Sequence, residues 1–286
     1  MPKPSGATSL TLHEVGEAIE GLWPAAGAEE WDAIGVVVGS PDHPISHIRL
    51  VVDVVPQTVA EAKDAGADLI VAHHPLLLAP VNTVAEDRYK GHIIASLIRG
   101  GMALVTAHTN ADVVPTGTSR RLGSLLGLDI VDVITPSATP GHGIGVVGAF
   151  GEDKSLYQVA TLLGALLPQT SSGIRVSGDP TQPVRTVALC AGAGDSLLHH
   201  PTVQGADLYI TSDLRHHPAG DVAAQRAVGH APALIDISHF AAEWLWLDQA
   251  RTELAEALPG ITITVSDLVT DPWDFIVHPG GNRDGE

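Results

Sequence analysis

Cysteine is almost missing: Cys190 stands alone in 286 residues, which excludes a disulfide within the chain and any metal site built from several thiolates. Basic residues are also scarce, 15 against 33 acidic ones, for a formal charge of −18. A surface of that sign repels phosphate backbones and anionic membranes. No segment concentrates enough lysine or arginine to reverse it, so nucleic acid is not an expected partner. Long apolar runs are missing too. No stretch reaches the roughly 20 apolar residues of a membrane span, and the start, Met1-Pro2-Lys3-Pro4-Ser5-Gly6, lacks the hydrophobic segment of a secretion signal. The expectation is a soluble cytoplasmic protein.

Histidine, by contrast, is plentiful, with 15 residues, and the 44% hydrophobic content is ordinary for a packed core. In a chain so poor in cysteine, any bound metal is expected to be held by imidazole. Short apolar runs alternate with amphipathic stretches and Gly/Pro breaks, the pattern of buried strands joined by crossover helices. The class is α/β, two lobes of mixed sheet flanked by helices. Thr11 to Leu22 predicts a helix with Leu12, Val15, Ile19 and Leu22 on one face, and Leu156 to Leu166 and Ala241 to Ala257 predict two more. Asp68 to Ala72, Met102 to Ala107 and Ala233 to Ile237 predict strands. The Pro- and Gly-rich stretch from Thr135 to Gly145 is the candidate lobe boundary, placing residues 8–135 with 230–275 in one lobe and 140–229 in the other. Residues 276–286 are expected to be a flexible tail.

Three polar clusters each follow an apolar strand directly, at the carboxyl end where open α/β sheets place ligands. They are His73-His74-Pro75, the segment His108 to Asp112, and Ser238-His239 with Glu243. Neighbouring side chains on a regular strand point to opposite faces, so His73 and His74 can converge only where the strand breaks up, which Pro75 enforces. His239 and Glu243, four apart at the start of a helix, share one face and suit joint ligation. Glu243 can bridge two cations, and Asp112 adds a second carboxylate. Five protein ligands suit a pair of divalent ions with open positions in the cleft at the strand ends.

Taken singly, each piece has a plainer reading. His73-His74-Pro75 reads equally as a turn, Asp112 as a helix cap, and His239 with Glu243 as a surface pair on a helix. His108, four before Asp112, is a candidate to orient a carboxylate or water during catalysis, and reads equally as structural. Arg215-His216-His217 is a weaker candidate for reaching substrate, and Gly192-Ala193-Gly194 reads chiefly as a tight turn. The joint occurrence at strand ends favours the metal reading.

These same residues resemble the Nif-three-like family of dinuclear-metal-centre proteins, often described as GTP cyclohydrolase 1 type 2 homologues, over nearly the whole chain. Glu30-Trp31-Asp32 with Gly35-Val36-Val37-Val38-Gly39 is similar to the family's Trp-Asp-Asn-x-Gly entry motif, and Asp53 to its Asp after the next strand. His73-His74-Pro75, His108-Thr109-Asn110-x-Asp112, Thr211-Ser212-Asp213 and Ser238-His239 with Glu243 are similar to its later motifs. Three positions depart: Ala33 replaces an Asn, and Ser212 and Ser238 each replace a Gly. The interval from Phe150 to Thr186 leaves no room for the mid-chain domain of longer members. The resemblance implies His73, His74, Asp112, His239 and Glu243 as ligands of two divalent ions, with Glu243 bridging, and a toroidal homohexamer.

The function expected is a metal-dependent hydrolase acting on a small molecule such as a nucleotide, GTP-directed only by the family label. Zinc, iron, manganese and cobalt all suit such a shell. The alternative is a metal-binding hexameric platform for interaction or regulation, without turnover. Metal storage fits less well, because five buried ligands favour retention.

Overall fold

The computed structural model describes residues 9–278. Its elements, in chain order, are β1 (Leu10–Thr11), α1 (Leu12–Leu22), β2 (Gly35–Val38), β3 (Pro44–Ile45), β4 (His47–Val51), α2 (Pro56–Asp64), β5 (Leu69–Ala72), α3 (Tyr89–Gly100), β6 (Ala103–Thr106) and the short α4 (Thr109–Asp112). There follow α5 (Thr118–Leu125), β7 (Asp129–Pro136), β8 (Gly143–Ser155), α6 (Leu156–Leu166), β9 (Arg175–Ser177), β10 (Pro183–Ala193), α7 (Pro201–Gln204), β11 (Leu208–Ser212), α8 (His216–Val228), β12 (Ala233–Asp236), α9 (His239–Ala257) and β13 (Thr262–Val265). The mixed α/β class holds. Of the expected tail, 276–286, residues 279–286 lie outside the described residues. Among the described residues, no helix is long and apolar enough to cross a membrane.

The chain divides into two compact units. One takes the residues up to Leu122, Asp132–Val146 and Glu243–Thr270; the other takes Gly123–Val131, Val147–Ala242 and the residues from Asp271. The division falls inside α5, β7 and β8 and between Ala242 and Glu243 of α9.

In the first unit five strands run in the order β13-β4-β5-β6-β2. The first four are parallel and β2 is antiparallel to β6. Every residue of β5 and β6 is buried, which is why both read as unbroken apolar runs: helices cover both faces of a parallel sheet. Ile70, Ala72 and Leu104 pack with Val59 and Ala62 of α2 and Ile93 and Leu97 of α3. By strand alternation Leu69 and Val71 face the opposite side. Trp23, which follows α1, packs its ring 5.1 Å from Trp246 of α9 and donates its indole N–H to Glu253 at 3.0 Å. A capping box at Thr11, reciprocated by Glu14, starts α1 where the sequence places it.

In the second unit β10, β11 and β12 are parallel and β9 lies antiparallel to β12, within a sheet ordered β7-β8-β10-β11-β12-β9. Ser155 and Gln158 form the capping box that starts α6. The Pro/Gly stretch predicted as a lobe boundary connects β7 to β8. Gly192 and Gly194 serve packing: Tyr209 donates to the Gly194 carbonyl at 2.9 Å and Thr211 to that of Gly192 at 3.0 Å. A Cβ at Gly194 would stand 2.1 Å from the Tyr209 hydroxyl; because Gly192 and Ala193 lie within β10, close packing at the strand end, and not the expected tight turn, accounts for this motif.

Gly39, which closes the motif around β2, has φ +133, and a Cβ there would lie 2.6 Å from Leu12 Cδ2 and 2.9 Å from Ala103 Cβ. It seats α1 against the start of β6. Gly39→Ala therefore meets both backbone strain and a clash, and is expected to cost about 2 kcal/mol or more in urea unfolding; a loss below about 0.5 kcal/mol would remove this constraint.

Candidate metal centre

The carboxyl ends of β5 and β6, side by side in the first sheet, carry the two internal histidine motifs. β5 ends at Ala72, yet His73 and His74 still donate their backbone N–H groups to Val51 and Val52, at 3.0 and 2.8 Å. The chain is thus held beside β4 while losing strict alternation, and both imidazoles turn to one place, their ring centroids 5.2 Å apart. After β6 the chain folds into α4. His108 opens this turn, Asp112 ends it, and both side chains reach the same cluster. His73, His74 and His108 offer nitrogen atoms that all lie within 4.8 Å of one another.

Glu243, on α9, is 3% exposed and faces two different imidazoles. Its Oε1 lies 3.5 Å from His73 Nε2, and its Oε2 lies 2.8 Å from His74 Nε2. Asp112 Oδ1 stands 3.7 Å from the same His73 nitrogen. The structure therefore brings His73, His74, His108, Asp112 and Glu243 together within the first unit. His239 is the first residue of α9, one helical turn before Glu243 and on the same face of that helix. Its strand, β12, belongs to the other sheet, so the three polar clusters do not end one common sheet.

The other ring nitrogen of each histidine is committed. His73 Nδ1 donates to the Ala107 carbonyl at 3.0 Å, which fixes its tautomer, because a carbonyl only accepts. His74 Nδ1 donates to Asp53 at 2.7 Å, His108 Nδ1 to Asp32 at 2.8 Å, and His239 Nδ1 to Asp213 at 2.6 Å. This arrangement leaves Nε2 as the nitrogen of each ring that is free to give its lone pair to a cation on losing its proton, the outer-shell pattern of metal-ligating histidine. Sequence reasoning gave Asp32, Asp53 and Asp213 no such role. Their only signal was membership in motifs. Asp213 also has φ 58, the one positive φ at a non-glycine among the described residues, in a region that Asp tolerates better than most.

The remaining motif residues build the walls. Asp32 accepts from Thr109 N at 3.0 Å and from the Thr109 hydroxyl, while that hydroxyl accepts from Glu29 N at 3.0 Å. Asn110 donates to the Trp23 carbonyl at 2.7 Å and accepts from His108 N at 3.0 Å. Thr118 donates to Asp112, and Thr270 to Asp53. Ser238, which replaces a glycine, accepts from Ala241 N at 3.2 Å and so acts as N-cap of α9. Ser212 Oγ is buried with no hydrogen-bond partner among the described residues. Arg215 sits at the start of α8 and pairs with Asp195.

The cluster is rich in negative charge. Burial is the largest influence on His73 and lowers its basicity, but Glu243 and Asp112 outweigh it and leave the pKa raised. At His74 burial is again outweighed, here by Glu243 and Asp53, and the pKa lies well above the ordinary value. Burial raises the Asp112 pKa, and Glu243 adds to the rise against the opposing effect of His73. Asp32 runs the other way: burial alone would raise its pKa, but the hydrogen bonds from His108 and Thr109 depress it.

These features fit a divalent cation. His73 Nε2 is fully buried with no hydrogen-bond partner among the described residues, and the carboxylates that raise the pKa of His73 and His74 gather negative charge about both inward nitrogens, where a divalent cation can take the place of a proton. Ligands about 2.0–2.1 Å from one tetrahedral ion stand about 3.3 Å apart, close to the separations of His73 Nε2 from Glu243 and Asp112.

A family profile described as Duf34/NIF3 (NGG1p interacting factor 3) matches residues 10–272. The chain belongs to this family. A Streptomyces coelicolor member described as a GTP cyclohydrolase 1 type 2 homolog is 41% identical over 269 residues, covering 92% of this chain and 93% of that protein. One from Clostridium perfringens with the same description is 30% identical, covering 93% and 100%. Among solved structures, a Bacillus cereus protein related to NIF3 superposes with TM-score 0.83 at 23% identity, covering 93% of this chain and 99% of that one. Reduced HcgD from Methanocaldococcus jannaschii does so with TM-score 0.74 at 23% identity, covering 92% and 100%. The Duf34/NIF3 fold thus accounts for almost all of the described chain.

Because Asp32 has a fully buried side chain, Asp32→Ala is expected to destabilise the protein by about 2 kcal/mol at pH 7. Its pKa is depressed in the folded state, so the contribution is complete above the unfolded carboxylate value of about 3.9 and fades as pH falls below it. Urea unfolding at pH 7 and pH 3 should show the gap between native and variant narrowing in acid; an equal gap at both would mean that Asp32 does not act as an ionised acceptor.

Proposed function

We propose that this site holds two divalent metal ions bridged by Glu243 and catalyses hydrolysis of a nucleotide or related small molecule. The observation that carries the reading is the position of Glu243: each of its two oxygens is directed to a different imidazole Nε2, those of His73 and His74, while the opposite nitrogens of both rings are held by other groups. Asp112 stands on the His73 side, and the family resemblance adds His239, one turn before Glu243 on the same helix. The proposed ligands are His73, His74, Asp112, His239 and Glu243, and zinc, iron, manganese and cobalt all suit that mixture of imidazole and carboxylate.

Divalent ions in such a site supply Lewis acidity and bring the pKa of water towards neutrality. The protein's own part is to orient and to hold protons. Asp53 and the Ala107 carbonyl keep the His74 and His73 rings turned with Nε2 inward. Asp32 does the same for His108, which offers a third inward nitrogen for orienting water or a reacting group. GTP as substrate rests on the family description alone.

Elemental analysis after a mild chelator wash is expected to give about two metal equivalents per native chain and fewer in His74→Ala. Glu243→Gln should keep its fold, by circular dichroism, and lose hydrolysis of screened nucleotides by about 100-fold or more. Metal retained with no turnover against any phosphoester or nucleotide would favour the non-enzymatic platform instead. The homohexamer implied by the resemblance belongs to this proposal, and sedimentation equilibrium should give six times the chain mass; a monomer would remove it.

A further inference from the structure

Beside the histidine cluster stands a large aromatic ring that the metal reading does not use. Trp31 is 59% exposed, although it adjoins Asp32, whose side chain is fully buried. The loop is fastened to α4 on both sides of the indole, by Glu29 N donating to the Thr109 hydroxyl and by Asp32 accepting from His108 and Thr109. An exposed indole on a free loop would need no explanation; one on a loop pinned to the site is presented there. Its ring lies 5.9 Å from the His108 ring at 76°, an edge-on contact that leaves much of the indole uncovered. The His108 ring in turn lies 5.2 Å from His73 and 5.6 Å from His74.

We propose that Trp31 is a stacking platform that selects substrates carrying a planar aromatic or heteroaromatic ring and sets the group attached to that ring beside His108 at the edge of the histidine cluster. This rests on the reading of the cluster as the reaction site and specifies the class of molecule it takes. Indole is a large rigid surface with little conformational entropy to lose on binding, and stacking on it tolerates any flat π-system. Trp31 is a specificity-determining residue in this account, not a ligand or proton carrier.

The test uses the full-length zinc-loaded protein, native, Trp31→Ala and Trp31→Phe, titrated calorimetrically with guanosine 5′-monophosphate and with ribose 5-phosphate, which share the sugar phosphate and differ in the ring. The native protein should bind the ring-bearing probe about tenfold or more tightly than ribose 5-phosphate. Trp31→Ala should abolish that preference while leaving ribose 5-phosphate binding and zinc content unchanged, and Trp31→Phe should keep most of it. No preference in the native protein, or a preference that survives in Trp31→Ala, overturns the proposal. Zinc equivalents measured on the same samples separate the two readings: native protein without zinc defeats the metal site, whereas zinc retained with no ring preference defeats only the role of Trp31.

Discussion

The arrangement of the site depends on hydrogen bonds that hold the back of each imidazole. Without the Ala107 carbonyl, Asp53 and Asp32, the rings of His73, His74 and His108 could each rotate or change tautomer. With them, the inward nitrogen is chosen before any ligand arrives. The sheet supplies the second part of the constraint. Parallel pairing of β4, β5 and β6 sets their carboxyl ends at one edge, so the groups that follow, Asp53, the His73-His74 pair and the turn from His108 to Asp112, are neighbours without any further device.

Much of this was legible in the sequence for a physical reason. Strands buried on both faces cannot alternate, so β5 and β6 stand out as apolar runs, and the polar residues that end those runs, His73 and His108, mark the sheet's edge. Helix α6 spans the residues predicted, and Ser155 with Gln158 forms the capping box that fixes its start. Illegible were the elements defined only by a distant partner. β13 is a four-residue alternating segment that becomes a strand by pairing with β4, more than 200 residues earlier in the chain, and β9 is three residues at a sheet edge. The strand β7 was hidden for another reason: its burial is irregular, with only Val133 and Ile134 buried.

The candidate site divides in the same way. Residues aimed at the cluster follow strand ends and so were found; those that hold them from behind were not, since the relevant spacing is set by the fold and not by any local period. Of the two serines at positions where the resembled motifs carry glycine, Ser238 caps α9, while the buried Ser212 hydroxyl has no hydrogen-bond partner among the described residues. The departure at Ala33 follows Asp32 directly, where Ala33 N donates to the Asp32 carboxylate at 2.7 Å, a backbone contact that any residue except proline can make.

The partners that hold the rings lie 34 residues from His73, 21 from His74, 76 from His108 and 26 from His239. Each contact closes a long loop, and no pair of these histidines with its supports exists in any short stretch of chain. It follows that the inward nitrogens are set only where these loops have closed, at the expense of chain entropy. A cation can lock such a structure once it has formed, but it cannot organise the unfolded chain in the way it organises a small zinc-dependent module whose ligands are local.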